Sequence, residues 1–333
     1  MLIKRKLDAL LHVTPELRPA GRGVIEFMAS APEPSIGNLA RFCQAMTDEY
    51  KKPVPPDPSV PYFRRTIDGR PAEVEVPIVV INAKPGARRP AIVHMHGGGF
   101  LFGAAADGVR FLQDIAVAIG CVVVSVDYRV APAATWDMSV EDNYAALRWL
   151  YEHAEEVGVD RDRIAVMGES AGGGHAALLA ITARDRGEYP IAFQCLTYPM
   201  LDDRTGSSVR VPAHIGAIQW TEAANRLGWH CLLGQVPGTD TVPAAAVPAR
   251  VEDVEGLPPA WIGVGSIDLF IHEDIAYATR LLSAGIETEL VVVPGAFHAF
   301  DLRAPSSSIV MSFHASRLNA LRRGLRCETW PLT

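Results

Sequence analysis

No apolar run in this chain approaches the ~18 residues that a membrane-crossing helix requires. Cysteine is scarce, with five in 333 residues. Cys43, Cys121, Cys195, Cys231 and Cys327 are scattered and form no Cys-x-x-Cys pair. A disulfide scaffold is thereby excluded, and no His/Cys/Asp spacing suggests a metal site. Cys121 and Cys195 lie in apolar strand-like runs and read as small buried hydrophobes. Such usage fits a reducing compartment, most simply the cytoplasm. Positive charge is in deficit, at 31 Lys and Arg against 38 Asp and Glu, a net charge of −7. Nonspecific binding of nucleic acid, which needs basic patches, is disfavoured. The basic start Met1–Lys6 is followed only by the short, broken run Leu7–His12, so a secretory signal is not expected. Apolar residues at positions 3, 7, 10 and 11 suit an amphipathic helix packed on the surface rather than stable membrane insertion.

Hydrophobic residues are abundant, at 49% of the chain, enough for one large core. Strand-like runs begin near Val60 and Val74 and recur at Ala91, Cys121, Ile164, Ile191, Ala260 and Glu287. From Ala91 onward helical stretches separate them, near Val109–Ile119, Val140–His153, Gly174–Arg184, Glu273–Ala284 and Ile309–Leu321. That alternation predicts an α/β fold, a mainly parallel sheet with helices on both faces. Residues 1 to about 50 look helical, and the proline-rich stretch Lys52–Pro58 acts as a stiff connector. Residues 202–254 interrupt the alternation with a helix expected over Trp220–Trp229 and a Pro- and Ala-rich loop.

Ser170 sits in Gly168-Glu169-Ser170-Ala171-Gly172, after the apolar run Ile164–Met167 and before a helical stretch. This is a Gly-x-Ser-x-Gly elbow in the strand–turn–helix setting that lifts a serine hydroxyl above a sheet. Gly168 and Gly172 provide the lack of bulk that such a turn needs. A serine alone is a poor nucleophile and requires a base and an orienting acid. On such elbows those partners follow in the order acid, then histidine. His298, in a short loop after the strand-like run Leu290–Val293, is the expected base; His175, His272 and His314 have helical contexts. Asp268 follows the buried run Ala260–Gly265 and is the expected acid. Glu273 and Asp274 are rivals, but acidic residues belong in the first turn of a helix anyway. His96-Gly97-Gly98-Gly99-Phe100 ends another strand. Its glycines let backbone N–H groups converge, so Gly98 and Gly99, with Ala171, are the expected donors to an oxyanion. Gly97 is assigned to the turn. Phe100, Phe102, Trp220, Phe270 and Phe297 are candidate pocket walls.

With these motifs in their order, the chain resembles the hormone-sensitive-lipase-like (bacterial family IV) esterases of the α/β-hydrolase fold. The resemblance rests on His96–Phe100, Asp127-Tyr128-Arg129-Val130-Ala131-Pro132, Gly168–Gly173, Asp268-Leu269-Phe270 and His298-Ala299-Phe300, which span most of the chain. It implies a carboxylic-ester hydrolase with an eight-stranded sheet, a Ser170–Asp268–His298 triad, a small-molecule ester substrate and no cofactor. It also implies that residues 1–50 and 202–254 form a helical cap over a single catalytic domain made of 51–201 and 255–333. A homodimer through Leu290 to Arg322 is a further implication. The chain departs from the family pattern at Glu169, at Ala133, at Trp136–Ser139 and after Asp268, which leaves the ion pairs around Arg129 open. The same constellation could serve an acyltransferase or amidase, or a hydrolase scaffold kept as a small-molecule receptor. A nucleotide-binding protein is disfavoured, because Gly168–Gly174 has neither Gly-x-Gly-x-x-Gly nor a terminal Lys-Ser/Thr.

Overall fold

The structure, a computed structural model, describes residues 8–50, 54–70 and 74–327. Eight strands form one sheet: β1 (Tyr62–Asp68), β2 (Glu75–Ile81), β3 (Arg89–Met95), β4 (Val122–Val126), β5 (Val159–Glu169), β6 (Phe193–Thr197), β7 (Ala260–Gly265) and β8 (Thr288–Val293). Their spatial order is β1-β2-β4-β3-β5-β6-β7-β8. The first two are antiparallel to their neighbours and the rest run parallel. Parallel strands covered on both faces read as continuous apolar runs, and every residue of β4 and β7 is buried. The edge strand β1 is mostly exposed and carries Arg64 and Arg65, charges that discourage pairing with another chain.

Successive residues of each strand point to opposite faces. Val93, Val124, Val166, Leu196 and Ile262 face one core, which α4 (Trp136–Glu152), α5 (Ala171–Arg186) and α7 (Ile271–Ser283) cover. Their neighbours Ile92, Val123, Ala165, Cys195 and Trp261 face the other, beneath α3 (Val109–Ile119) and α8 (Ser308–Gly324). The N-terminal segment, including α1 (Arg18–Ser30), packs on that second face through Leu10, Leu17, Val24 and Ile25. A third cluster joins Phe42 and Met46 of α2 (Leu39–Tyr50) to Trp220, Leu227 and Leu232 on and before α6 (Glu222–Leu233). The same cluster holds Phe100, Ala171 and Phe270, which follow the carboxyl ends of β3, β5 and β7. Ligand sites in open parallel sheets collect at those ends.

Several boundaries differ from the sequence expectation for local reasons. Strand β5 begins at Val159, ahead of Ile164, because the polar run Asp160–Arg163 concealed its start. Helix α6 begins at Glu222 rather than Trp220: Thr221 is its N-cap, and its hydroxyl accepts from the Ala224 N–H at 3.4 Å. Trp220 therefore lies outside the helix. Most of the amphipathic stretch expected at the extreme N-terminus lies outside the described residues, as do Lys52 and Pro53. Within the described part, Leu10 is buried and Leu11 exposed in a 3-10 turn. Among the described residues no helix is long and apolar enough to cross a membrane.

Candidate active site

Ser170 links the end of β5 to α5 with φ 57° and ψ −120°. A side chain in that region is strained by roughly 1–3 kcal/mol and must be held by its surroundings. Three backbone bonds hold it: its N–H donates to the Thr197 carbonyl (2.9 Å), and its own carbonyl accepts from Met200 and Gly174 (both 3.0 Å). The flanking glycines are required sterically. A Cβ on Gly168 would stand 2.2 Å from the Gly172 carbonyl oxygen, and one on Gly172 would stand 2.1 Å from that of Met95.

The expected partners converge on this serine. His298 Nε2 lies 3.0 Å from Ser170 Oγ, and His298 Nδ1 lies 2.8 Å from Asp268 Oδ2. A carboxylate only accepts, so Nδ1 carries the proton and Nε2 presents its lone pair to the serine hydroxyl. Asp268 is fully buried, and its second oxygen accepts from the Phe270 N–H at 3.0 Å, which fixes the carboxylate plane. The imidazole is held edgewise between Tyr198 (4.8 Å between ring centroids) and Phe270 (5.1 Å). Tyr198 is oriented in turn by its hydroxyl, which donates to Asp301 at 2.8 Å.

The rival carboxylates face elsewhere. Glu273 accepts from the N–H groups of Leu201 and Asp202 at 2.7 and 3.2 Å. Burial, and then the charge of Asp202, push its carboxyl well above the usual range. Asp274 is fully buried with neither oxygen partnered among the described residues. Burial, then Glu273 and Asp268, raise its carboxyl well above the ordinary value.

The glycine loop after β3 turns back toward Ser170. Gly98 (φ 130°) and Gly99 (φ 59°) adopt backbone angles that favour glycine. The Gly98 carbonyl accepts from Leu101 and Phe102 at 2.9 and 3.2 Å, so Gly98, which was expected only as a donor, also closes the turn assigned to Gly97. Gly97 instead lies against the elbow, where a Cβ would be 3.1 Å from the Glu169 carbonyl oxygen. Ala171 is the first residue of α5, where a backbone N–H has no partner within the helix.

Sequence reasoning missed the supports of this loop. His96 Nδ1 donates to the Gly97 carbonyl at 2.8 Å. Tyr128 stacks on His96 at 4.3 Å and donates its hydroxyl to the His96 carbonyl at 2.6 Å. Behind the pair lies His175, with both ring nitrogens buried and unpartnered among the described residues. Burial, then the neighbouring His96, push its pKa down to about 3. Beneath the elbow, His94 lies 2.9 Å from both Glu169 and Ser125, so Glu169 has a partner despite departing from the family pattern. Arg129 grips the buried Asp142 through two nitrogens, which restores an ion pair in the region left open. A buried histidine beside a glycine loop was the available signal for these contacts, but its partners are distant in sequence.

The candidate walls separate. Phe270 flanks His298, while Phe100 packs edgewise on His175 and Trp229 at 5.0 and 4.9 Å. Phe102 neighbours Gly98, and Trp220 touches Gly99. Phe297 belongs instead to the cluster around the N-terminal segment, near Gly21. Among the described residues no group of three His, Cys, Asp or Glu could hold a metal ion.

Residues 92–302 match the family model of the alpha/beta hydrolase fold. The chain is 38% identical to Esterase LipI of Mycobacterium tuberculosis over 205 residues, which are 61% of this chain and 63% of that protein. It is 36% identical to Carboxylesterase NlhH of the same species over 217 residues, 63% of this chain and 66% of that protein. The matched stretch thus spans less than two thirds of either relative. A solved bacterial heroin esterase superposes with a TM-score of 0.83 at 33% identity, over 95% of this chain and 99% of that one. Esterase LipW of Mycobacterium marinum gives a TM-score of 0.75 at 29% identity, over 95% and 96%. With its eight-stranded sheet and glycine loop, the chain belongs to the α/β-hydrolase fold family, in its hormone-sensitive-lipase-like branch.

Proposed function

We propose that this protein is a carboxylesterase that hydrolyses short- to medium-chain esters through a Ser170–His298–Asp268 triad. The observation that carries the reading is the unbroken chain of contacts from Ser170 Oγ through His298 to the buried Asp268. Relatives named esterase and carboxylesterase support the same class of reaction.

In this reading Ser170 Oγ attacks the ester carbonyl carbon while His298 Nε2 takes its proton. The carbonyl π-electrons move onto oxygen, and the N–H groups of Gly98, Gly99 and Ala171 stabilise that anion. Asp268 holds the imidazole in the productive tautomer and stabilises its charge. The tetrahedral intermediate collapses, the C–O bond to the alcohol breaks, and Nε2 returns the proton to the leaving oxygen. Water then attacks the acyl-enzyme by the same route and releases the acid. The N-terminal helices and residues 202–254 act as a cap that excludes water from the acyl pocket.

The test is turnover of p-nitrophenyl esters of increasing acyl length by the wild type and Ser170→Ala side by side. Turnover by the wild type alone is the expected result. Equal turnover by the folded alanine variant removes the serine from the mechanism.

A further inference from the structure

One contact bears on what limits the acyl group, and its meaning rests on the esterase reading. Trp220 is buried, and its indole lies on the glycine loop. A Cβ built on Gly99 would fall 2.1 Å from Trp220 Cη2 and 2.5 Å from Cζ2, so only hydrogen fits between them. The same indole is 6.4 Å from the His298 ring, at 41° to it. It therefore spans the gap between the proposed oxyanion donors and the proposed base. The alcohol must leave beside His298 Nε2, which protonates it. The acyl group stays on Ser170 beneath the Gly98–Gly99 loop, and the indole abuts that loop at Gly99.

The indole is also fixed. Its Nε1 donates to Asn225 Oδ1 at 3.2 Å, and Asn225 Nδ2 donates to the Thr205 carbonyl at 2.8 Å. Asn225 is fully buried, and both ends of its amide are used. Three residues further along α6, Gly228 seats the helix on the same loop: a Cβ there would be 2.5 Å from the Gly99 carbonyl oxygen. Trp220 and α6 are thus built against Gly99 as one unit, with no room for the ring to slide along the helix.

We propose that Trp220 is the specificity-determining residue that stops long acyl chains and sets the upper limit of the short- to medium-chain range. Asn225 is its positioning residue. An acyl chain that continues past the loop meets the indole face, and Asn225 prevents the ring from turning out of its way. A removed methylene in an apolar pocket changes specificity by a factor of roughly 10–200, so deleting most of an indole has a large readout.

The experiment compares kcat/KM for p-nitrophenyl acetate, butyrate, octanoate and decanoate in wild type, Trp220→Leu, Trp220→Phe and Asn225→Leu. The octanoate-to-acetate ratio is expected to rise roughly tenfold or more in Trp220→Leu. It rises less in Trp220→Phe, which retains a ring on Gly99 and serves if the leucine variant does not fold. Asn225→Leu shifts the ratio in the same direction, an effect that general destabilisation does not produce. A common factor on all four esters, or an unchanged ratio, overturns the proposal. Wild-type labelling by diethyl p-nitrophenyl phosphate separates the two levels of argument. Labelling at Ser170 with an unchanged ratio defeats only the role of Trp220. A wild type neither labelled nor active on any ester defeats the esterase reading and this inference with it.

Discussion

His175 makes stability depend on acid in a way that can be calculated. It is 1% exposed, sits edgewise to Phe100 and Tyr128, and has no partner for either ring nitrogen among the described residues. Burial and the neighbouring His96 lower its pKa from the ordinary 6.5 to about 3. A depressed pKa means that the folded state refuses a proton that the unfolded chain accepts. Stability is therefore full above pH 6.5 and is lost as the pH falls toward 3. Between pH 7 and pH 5 the unfolded histidine becomes almost fully charged while the folded one stays neutral. At ~1.4 kcal/mol per pKa unit, this single residue costs about 2 kcal/mol over that interval. His175→Leu removes the titration at similar volume and adds no polar atom. At pH 7 it loses ring contacts and two unpartnered nitrogens, effects of opposite sign, so the decisive quantity is the slope with pH. Guanidinium unfolding followed by tryptophan fluorescence, at pH 7 and pH 5, measures it. The wild type is expected to lose about 2 kcal/mol more than the variant between the two conditions. His96, also lowered by burial, titrates in both proteins and largely cancels. Equal losses in the two proteins would falsify the placement of a neutral, sealed His175.

Three further outcomes are expected. Ser170→Ala and His298→Gln should each lower kcat by roughly four orders of magnitude or more, and the double variant should be no worse than either, because the groups act as one unit; additive losses in the ester assay contradict the shared chain. Gly228→Ala should push the Gly99 peptide and reduce kcat for all acyl lengths alike, by roughly 10- to 100-fold; a change confined to long chains would show that α6 does not hold the loop. Asp274→Asn should stabilise the protein at neutral pH. The raised carboxyl favours the fold most below its unfolded pKa and loses that contribution as the pH rises, whereas an amide has no proton to lose; a stability gap between the variant and wild type that fails to shrink in denaturation at pH 4 contradicts this.

The parts of the fold legible in the sequence were those with local causes. The helix Val109–Ile119 matches its expectation at both ends, since its apolar spacing is followed by Gly120 in a left-handed cap. The Gly-x-Ser-x-Gly elbow and Gly97 and Gly98 after β3 are equally local, because their close backbone approaches exclude a Cβ within a few residues or at the next strand, whereas Gly99 is crowded by the distant Trp220. His298 and Asp268 were reachable because both follow parallel strands, β8 and the fully buried β7, and parallel strands bring their carboxyl ends to one edge. What remained hidden depends on distant partners. Asn225 reads as an ordinary polar residue in a helix until Thr205 and Trp220 are found on either side of its amide. Phe297, adjacent to His298, looked like a wall of the pocket. Strand-end geometry turns it instead toward the N-terminal segment, since adjacent residues in a tight loop face different ways.

Asp268, Glu273 and Asp274 lie within seven residues and are all buried, yet their surroundings give them different work. Burial alone raises a carboxyl group, so a buried carboxylate that is to stay charged needs donors on its oxygens. Asp268 has one donor on each: the Phe270 N–H on Oδ1 and the His298 Nδ1–H on Oδ2. Glu273 accepts from the Leu201 and Asp202 N–H groups on one oxygen, and its second oxygen has no partner among the described residues. Asp274 has none among the described residues, and Asp268 and Glu273 both act to raise it further. A charge on Asp274 would repel Asp268, the carboxylate that the proposed mechanism relies upon. A proton on Asp274 removes that conflict. The buried acid beside the proposed triad is thus starved of donors among the described residues, whereas Asp268 has one on each oxygen.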